Sequence, residues 1–276
     1  MTEDVHTEIR RHYEAYGGDF SGLDADAAVG HWHAPSIRTA PDGVTLDAAV
    51  ADRWAGFAAA IEDLAATDYD HSEAVAIGAH RLSASLALSN VVWHRLTDDG
   101  TVMARFSPLH VLRWTGERWQ FVARATRRSD DPLAMRPVGR RTEELEPART
   151  PGSVVDFVES YGRAVSTGDR DAVVAAWSRP SLVLAPDGVR AVTTAEEVEP
   201  LVEGPVEPEA VYAHELDASV AVADVRWAHP DGDAGGPTAT VHLLHESVEG
   251  WQFVASGRHP PENLVAVGPP GQEQSG

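Results

Sequence analysis

"WHAPSIRTAPDGV" runs from Trp32 to Val44, and "WSRPSLVLAPDGV" runs from Trp177 to Val189, so one chain writes nearly the same stretch twice at an offset of 145. Each copy of the stretch reads as a short strand ending in a turn, with Pro41 presetting φ and Gly43 accepting a positive φ. The likeness continues outward. Upstream, Glu14, Tyr16 and Gly17 meet Glu159, Tyr161 and Gly162 without a gap, and Asp24 and Asp26 meet Asp169 and Asp171. Downstream, "AHRLSASLALSNVVW" (Ala79 to Trp93) lies on "AHELDASVAVADVRW" (Ala213 to Trp227) at an offset of 134, and "WQFVA" at Trp119 recurs at Trp251 at an offset of 132. Self-similarity over that span means one domain duplicated. The falling offset places a loss of 11 residues between Val44 and His80 of the aligned copies, and of two more in a later hairpin.

The repeat sets the expected boundaries: a first domain over 1–128, a linker over 129–151, a second domain over 152–260 and a disordered tail over 261–276. The linker reading rests on a Pro-, Arg- and acid-rich stretch without apolar periodicity, and the tail reading on its prolines and glycines. Within a copy the order reads α-α-β-α-β-β-β. The first helix is expected to end near Tyr16, and Asp24 to cap the second. Leu46, Val50, Trp54, Phe57, Ile61 and Leu64 recur at helical spacing and predict the buried stripe of a third helix. Its counterpart, "TTAEEVEPLVEG", is shorter and contains Pro200. Leu82, Ala84, Leu86 and Leu88 alternate as a strand does.

Composition narrows the function classes. The 276 residues are 43% hydrophobic, which suits a globular class with two ordinary cores. No apolar run is long enough to span a bilayer, and "MTEDVHTEIRRHYEAY" lacks the order of a secretory leader, so the expected compartment is the cytoplasm. Without cysteine there is no disulfide, thiolate metal site or thiol nucleophile, and no cofactor is expected. A formal charge of −21 disfavours nucleic acid and membrane surfaces as partners. All 22 basic residues are Arg, which points to a high-GC genome and is compatible with a high-salt cytoplasm.

The stretch "YGRAVSTGDRDAVVAAWSRPSLVLAPDG" (Tyr161 to Gly188) resembles the NTF2-like superfamily, which includes ketosteroid isomerase and SnoaL-type cyclases along with many non-catalytic members. In that family a first-helix Tyr, a Gly-Asp-x-Asp entry to the second helix, an aromatic ending it and a Pro-x-Gly turn follow at these spacings. The resemblance covers nearly the full length of both copies. It implies an α+β fold of two tandem cone domains, each a bent mixed or antiparallel sheet with helices on its concave side, joined as an intramolecular pseudo-dimer and otherwise monomeric.

It also implies a site. Tyr16 and Tyr161 stand where isomerase-like members place a donor Tyr, and His110 and His242 stand where they place a protonated Asp. The base position holds Ala40 and Ala185, so no side chain there can take a proton. For each Tyr and His the alternative is a core residue with its polar atom satisfied internally. Asn90 and Asp224 share parity with apolar strand residues and read as cavity-lining groups or as a strand end reaching solvent. Trp32 and Trp177 read as pocket wall or as core. His31 and His33 look like a metal clip, but the second copy reads Ala176 and Ser178 and no third ligand is adjacent, so no metal is expected.

Two function classes follow. One is a binding protein whose apolar cones take a small hydrophobic molecule with a carbonyl or phenol group, degenerate at the isomerase-type base. The other is an acid-base enzyme, an isomerase, cyclase or hydrolase, with a relocated group such as Asp224 or His110.

Overall fold

The computed structural model describes residues 4–127, 129, 131–138, 153–198, 206–228 and 237–269. The chain divides into two compact units whose main break in sequence falls between Met135 and Arg136, with Ile37–Leu46 of the first copy grouped in the second unit.

The first copy opens with α1 (Val5–Ser21), capped by the Asp4 carboxylate, and α2 (Ala25–Val29), capped by Asp24. The strands β1 (Trp32–Ala40) and β2 (Gly43–Asp47) form a hairpin before α3 (Val50–Ala65). Five strands complete it: β3 (Tyr69–Arg81), β4 (Leu86–Thr97), β5 (Val102–Phe106), β6 (Leu109–Trp114) and β7 (Trp119–Ala125). Their sheet order is β2-β1-β7-β6-β4-β3, with β5 beside β4. Ile9, Tyr13, Phe20, Trp32, Phe57, Trp93 and Phe121 belong to one buried cluster between helices and sheet.

A four-residue strand, β8 (Ala134–Pro137), follows the first copy. The second copy repeats the plan with α4 (Val154–Thr167), α5 (Arg170–Ala175), β9 (Trp177–Ala185), β10 (Gly188–Val192), β11 (Glu207–Asp217), β12 (Val220–Ala228), β13 (Thr238–Ser247) and β14 (Gly250–His259). The sheet order β10-β9-β14-β13-β12-β11 matches the first copy strand for strand, and β14 runs parallel to β9, so the sheet is mixed. The α+β fold in two tandem copies is therefore as expected. One difference is local. Strand β13 runs unbroken through the positions where Ser107 and Pro108 separate β5 from β6 in the first copy, and the counterpart of most of β5 lies outside the described residues.

Four expectations are corrected. Helix α1 does not end near Tyr16 but continues to Ser21. Gly17 lies inside it because a β-carbon there would come 2.9 Å from the Trp93 ring; Gly162 plays the same part on α4, where Pro208 would be met at 2.8 Å. The stripe of α3 is rotated: Val50 and Trp54 are 53% and 43% exposed, while Arg53, Phe57 and Leu64 are buried.

The expected linker contains β8, and the expected tail contains a short 3-10 turn (Pro261–Asn263) and β15 (Val265–Gly268), which forms a two-stranded sheet with β8. Buried side chains tether both segments. Asn90 accepts from the Leu133 N–H at 2.8 Å, and Asp224 accepts from the Val265 N–H at 2.8 Å. The remaining linker residues 139–151 and the end of the tail lie outside the described residues, as does Pro200. Between β10 and β11 the described residues hold no α-helix.

No helix among the described residues is long and apolar enough to cross a membrane.

Candidate functional site

Helix α1 presents Tyr13, Tyr16 and Phe20 to the sheet at intervals of three and four residues, the spacing that stacks side chains on one helix face. Trp32 enters from the start of β1, His110 from β6 and Phe121 from β7, while Phe57 closes on them from α3. Phe121 is the hub. Its ring centroid lies 5.2 Å from that of Tyr16, 5.1 Å from Trp32 and 4.5 Å from His110. Three residues expected at the site are thus gathered around one ring.

The tyrosine that bonds His110 is Tyr13, one turn before Tyr16. Its hydroxyl lies 2.8 Å from His110 Nδ1 and 2.6 Å from the Ser89 hydroxyl, all three groups buried. Burial pushes the Tyr13 phenol far up. It pushes His110 well below its usual range, helped by the positive charges of Arg124 and Arg53, so both groups are neutral. Either direction of hydrogen donation along this chain keeps Nδ1 engaged.

Arg53 is the second residue the sequence reading missed. Its guanidinium carbon lies 3.6 Å from the centroid of the Trp32 ring and 4.5 Å from that of Phe57, with Nη1 3.4 Å from the Asp47 carboxylate. A cation over an indole face is attracted by the ring quadrupole, more so when dry. The Trp32 indole N–H is buried without a partner among the described residues.

His12, His31 and His33 are three further histidines of the first copy. His12 is buried against Phe121, and burial, with His31 and Arg118 adding to it, holds its imidazole down to about 3. His31 Nε2 lies 2.8 Å from Asp19, and His33 Nδ1 lies 3.2 Å from the Pro35 carbonyl. Among the described residues no cluster of three metal-ligating side chains occurs.

In the second copy Tyr161, Trp177 and His242 surround Phe253 at 4.9, 5.4 and 4.3 Å between ring centroids. Burial raises the Tyr161 phenol, opposed by the nearby Trp177 indole. The residue in register with Tyr13 is Val158, and the residue in register with Ser89 is Ala223.

Asn90 and Asp224 are not part of either group. Ser89 pairs with His110, and Ala223 with His242, so those residues face the helices; the alternation of a strand then turns Asn90 and Asp224 to the opposite face. There they are structural. The Asn90 amide donates to Ser107 Oγ at 2.8 Å and to the Pro108 carbonyl at 2.9 Å, and Asp224 accepts from His259 Nε2 at 2.8 Å.

The sequence did carry signals for the missed residues. Tyr13 falls on the same helical face as Tyr16 and Phe20, but it lacks a counterpart in the repeat. Arg53 lies one turn before Phe57, in the segment that the second copy shortened.

A family model described as "NTF2-like protein (DUF6841)" matches residues 7–129. Several solved structures are similar to one copy's worth of the chain. One is a domain of unknown function with a cystatin-like fold from Nostoc punctiforme, 16% identical over 47% of this chain and 80% of that one, with a TM-score of 0.38. Another is an NTF2-like protein with a cystatin-like fold from Novosphingobium aromaticivorans, 17% identical over 44% and 79%, with a TM-score of 0.36. A third is a ketosteroid isomerase-like protein from Erwinia carotovora atroseptica, 16% identical over 45% and 96%, with a TM-score of 0.33. No curated protein matches the chain.

Proposed function

We propose that the chain is a tandem NTF2-like protein whose first copy binds a small hydrophobic molecule bearing a carbonyl or phenol oxygen, without abstracting a proton from it. The observation that supports this most directly is an unpartnered indole among the Phe57 and Phe121 rings. The Trp32 indole N–H is buried without a hydrogen-bond partner among the described residues, and the Tyr16 and His110 rings pack with it around Phe121. A buried polar group is costly unless bonded, so a ligand oxygen that accepts from the indole, with the Tyr16 hydroxyl and the His110 imidazole as further polar groups of the same cluster, is stabilised there.

The chemistry available favours binding over acid-base turnover. Ala40 and Ala185 hold the base position and carry no titratable group. His110, whose conjugate acid is disfavoured by burial and two arginines, is a weak base. Asp224 is tied to His259 and to the Val265 N–H on the opposite face of its sheet.

The test is fluorescence titration of wild type, Tyr16→Phe and His110→Ala with 2-naphthol, beside an isomerase assay of wild type with a 5-en-3-one steroid. Loss of one donor is expected to weaken 2-naphthol binding by about 1 to 3 kcal/mol. Efficient isomerisation by wild type, or binding indifferent to both substitutions, overturns the reading.

A further inference from the structure

The second copy keeps the histidine but not the residue that satisfies it. His242 packs on Phe253 at 4.3 Å, much as His110 packs on Phe121 at 4.5 Å. The Trp227 indole, which can only donate, lies 2.7 Å from Thr240 Oγ1. Thr240 therefore accepts there, and its own hydrogen is directed at His242 Nε2, 2.6 Å away. In a neutral imidazole an accepting Nε2 puts the proton on Nδ1, a tautomer assigned here from the network. Nδ1 is buried and has no partner among the described residues.

In the first copy that same ring atom meets the Tyr13 hydroxyl. Val158 replaces Tyr13 with a short aliphatic side chain; Trp227 stands for Trp93, Phe253 for Phe121 and Ala223 for Ser89, and the one neighbour that grows, Phe157 for His12, packs on Phe253 at 4.9 Å. A donor is thus aimed at the place of a ring and an oxygen that the chain itself supplies elsewhere.

We propose that the second copy binds a small aryl carbonyl compound, an aromatic aldehyde or ketone, whose ring lies where Tyr13 lies in the first copy and whose oxygen accepts from His242 Nδ1. A carbonyl suits the place better than a phenol. The phenol of Tyr13 has Ser89 as a second partner, whereas Ala223 offers none, so a phenolic O–H would be buried unsatisfied. An anion suits it less well, because burial keeps His242 neutral, with a pKa of about 3.

The experiment uses the full chain labelled with ¹⁵N-histidine and follows the Nδ1 resonance of His242, assigned with His242→Phe. Acetophenone is the probe, and ethylbenzene, which lacks the oxygen, is the control. Acetophenone is expected to move the resonance saturably, with ethylbenzene at least tenfold weaker. The double variant V158Y/A223S rebuilds the first copy's arrangement and is expected to weaken acetophenone binding at this site at least tenfold. A His242 resonance unmoved at the solubility limit of acetophenone, or equal affinity in the double variant, overturns the proposal. Should the double variant fail to fold, His242→Phe decides: acetophenone binding retained in the second copy overturns the proposal, and its loss supports it. The His110 resonance reports separately on the first-copy reading, so either can fail without the other.

Discussion

The two copies share a scaffold and differ in their polar interior. Tyr16, Trp32, Trp93 and Phe121 recur in register as Tyr161, Trp177, Trp227 and Phe253, and the strand order is the same. The groups that dress this scaffold do not recur: Tyr13 becomes Val158, His12 becomes Phe157, Ser89 becomes Ala223 and His31 becomes Ala176. His110 recurs as His242, bonded to a tyrosine in the first copy and to a threonine in the second. The aromatic scaffold is therefore the shared part of the two interiors, and the polar residues are where they differ.

The sharpest way to break the comparison is to make the first copy resemble the second. Tyr13→Val removes a ring buried among Trp93, His110 and Phe121 and strands both Ser89 and His110 Nδ1. Large-to-small core changes of this kind cost about 3 to 5 kcal/mol, and urea denaturation of the first copy should show a loss of that order. Adding Ser89→Ala, which completes the match to the second copy, should cost little more, since an orphaned hydroxyl is removed along with its partner. A midpoint unchanged by Tyr13→Val would mean that the tyrosine does not hold the interior.

Arg53→Met tests the feature that has no counterpart in the described part of the second copy. It removes the cation from the Trp32 face and from Asp47, both buried. Breaking a buried ion pair from one side costs about 3 kcal/mol or slightly more. The companion Asp47→Asn/Arg53→Met should recover part of that loss. If the double variant is no better than the single, the arginine acts through packing on Trp32 and Phe57 and not through charge.

These residues also mark where sequence reading succeeds and fails. The fold was legible because a duplication prints the same packing residues twice, and because the capping aspartates and turn glycines are local signals. Helix α1 was read short since paired glycines look like a stop, whereas Gly17 is demanded by the Trp93 ring across the interface. The α3 stripe was read one face away, because apolarity alone cannot show that an arginine is buried over an indole. The segments around Leu133 and Val265 look disordered by composition, yet each is fixed by one amide-to-carboxyl or amide-to-carboxamide hydrogen bond from a distant strand. Tyr16 and His110 recur in the second copy as Tyr161 and His242, whereas Tyr13, whose counterpart is Val158, leaves no mark in the repeat.

Acid separates the copies in a different way. His12 is held down to about 3, mainly by burial, whereas an unfolded histidine titrates near ~6.5. Below that pH the unfolded chain takes up a proton that the folded first copy refuses. The stability contributed by the neutral form is fully present above ~6.5 and is lost as pH falls toward about 3, at ~1.4 kcal/mol per unit. His12→Phe, which copies Phe157, removes this uptake. Relative to wild type it should therefore be about 2 kcal/mol better at pH 5 than at pH 7. Parallel stability curves for the two proteins would show that His12 is already protonated when folded, or that it titrates alike in both states.

The smallest effect belongs to the exposed face of α3. Trp54 is 43% exposed, and its indole donates to Asp26 at 2.7 Å on the surface, so water can replace most of what the contact supplies. Trp54→Gln keeps a side-chain donor and should cost less than ~1 kcal/mol, the range for surface substitutions and exposed hydrogen bonds. Phe57, one turn along, is buried at the centre of the first copy's rings, and Phe57→Ala should cost several times more, about 3 to 5 kcal/mol. The pair fixes the rotation of the helix. If the two substitutions cost the same, or if Trp54→Gln costs more, then α3 packs by the Leu46, Val50, Trp54 face that hydrophobicity alone would choose, and the place of Arg53 over Trp32 goes with it.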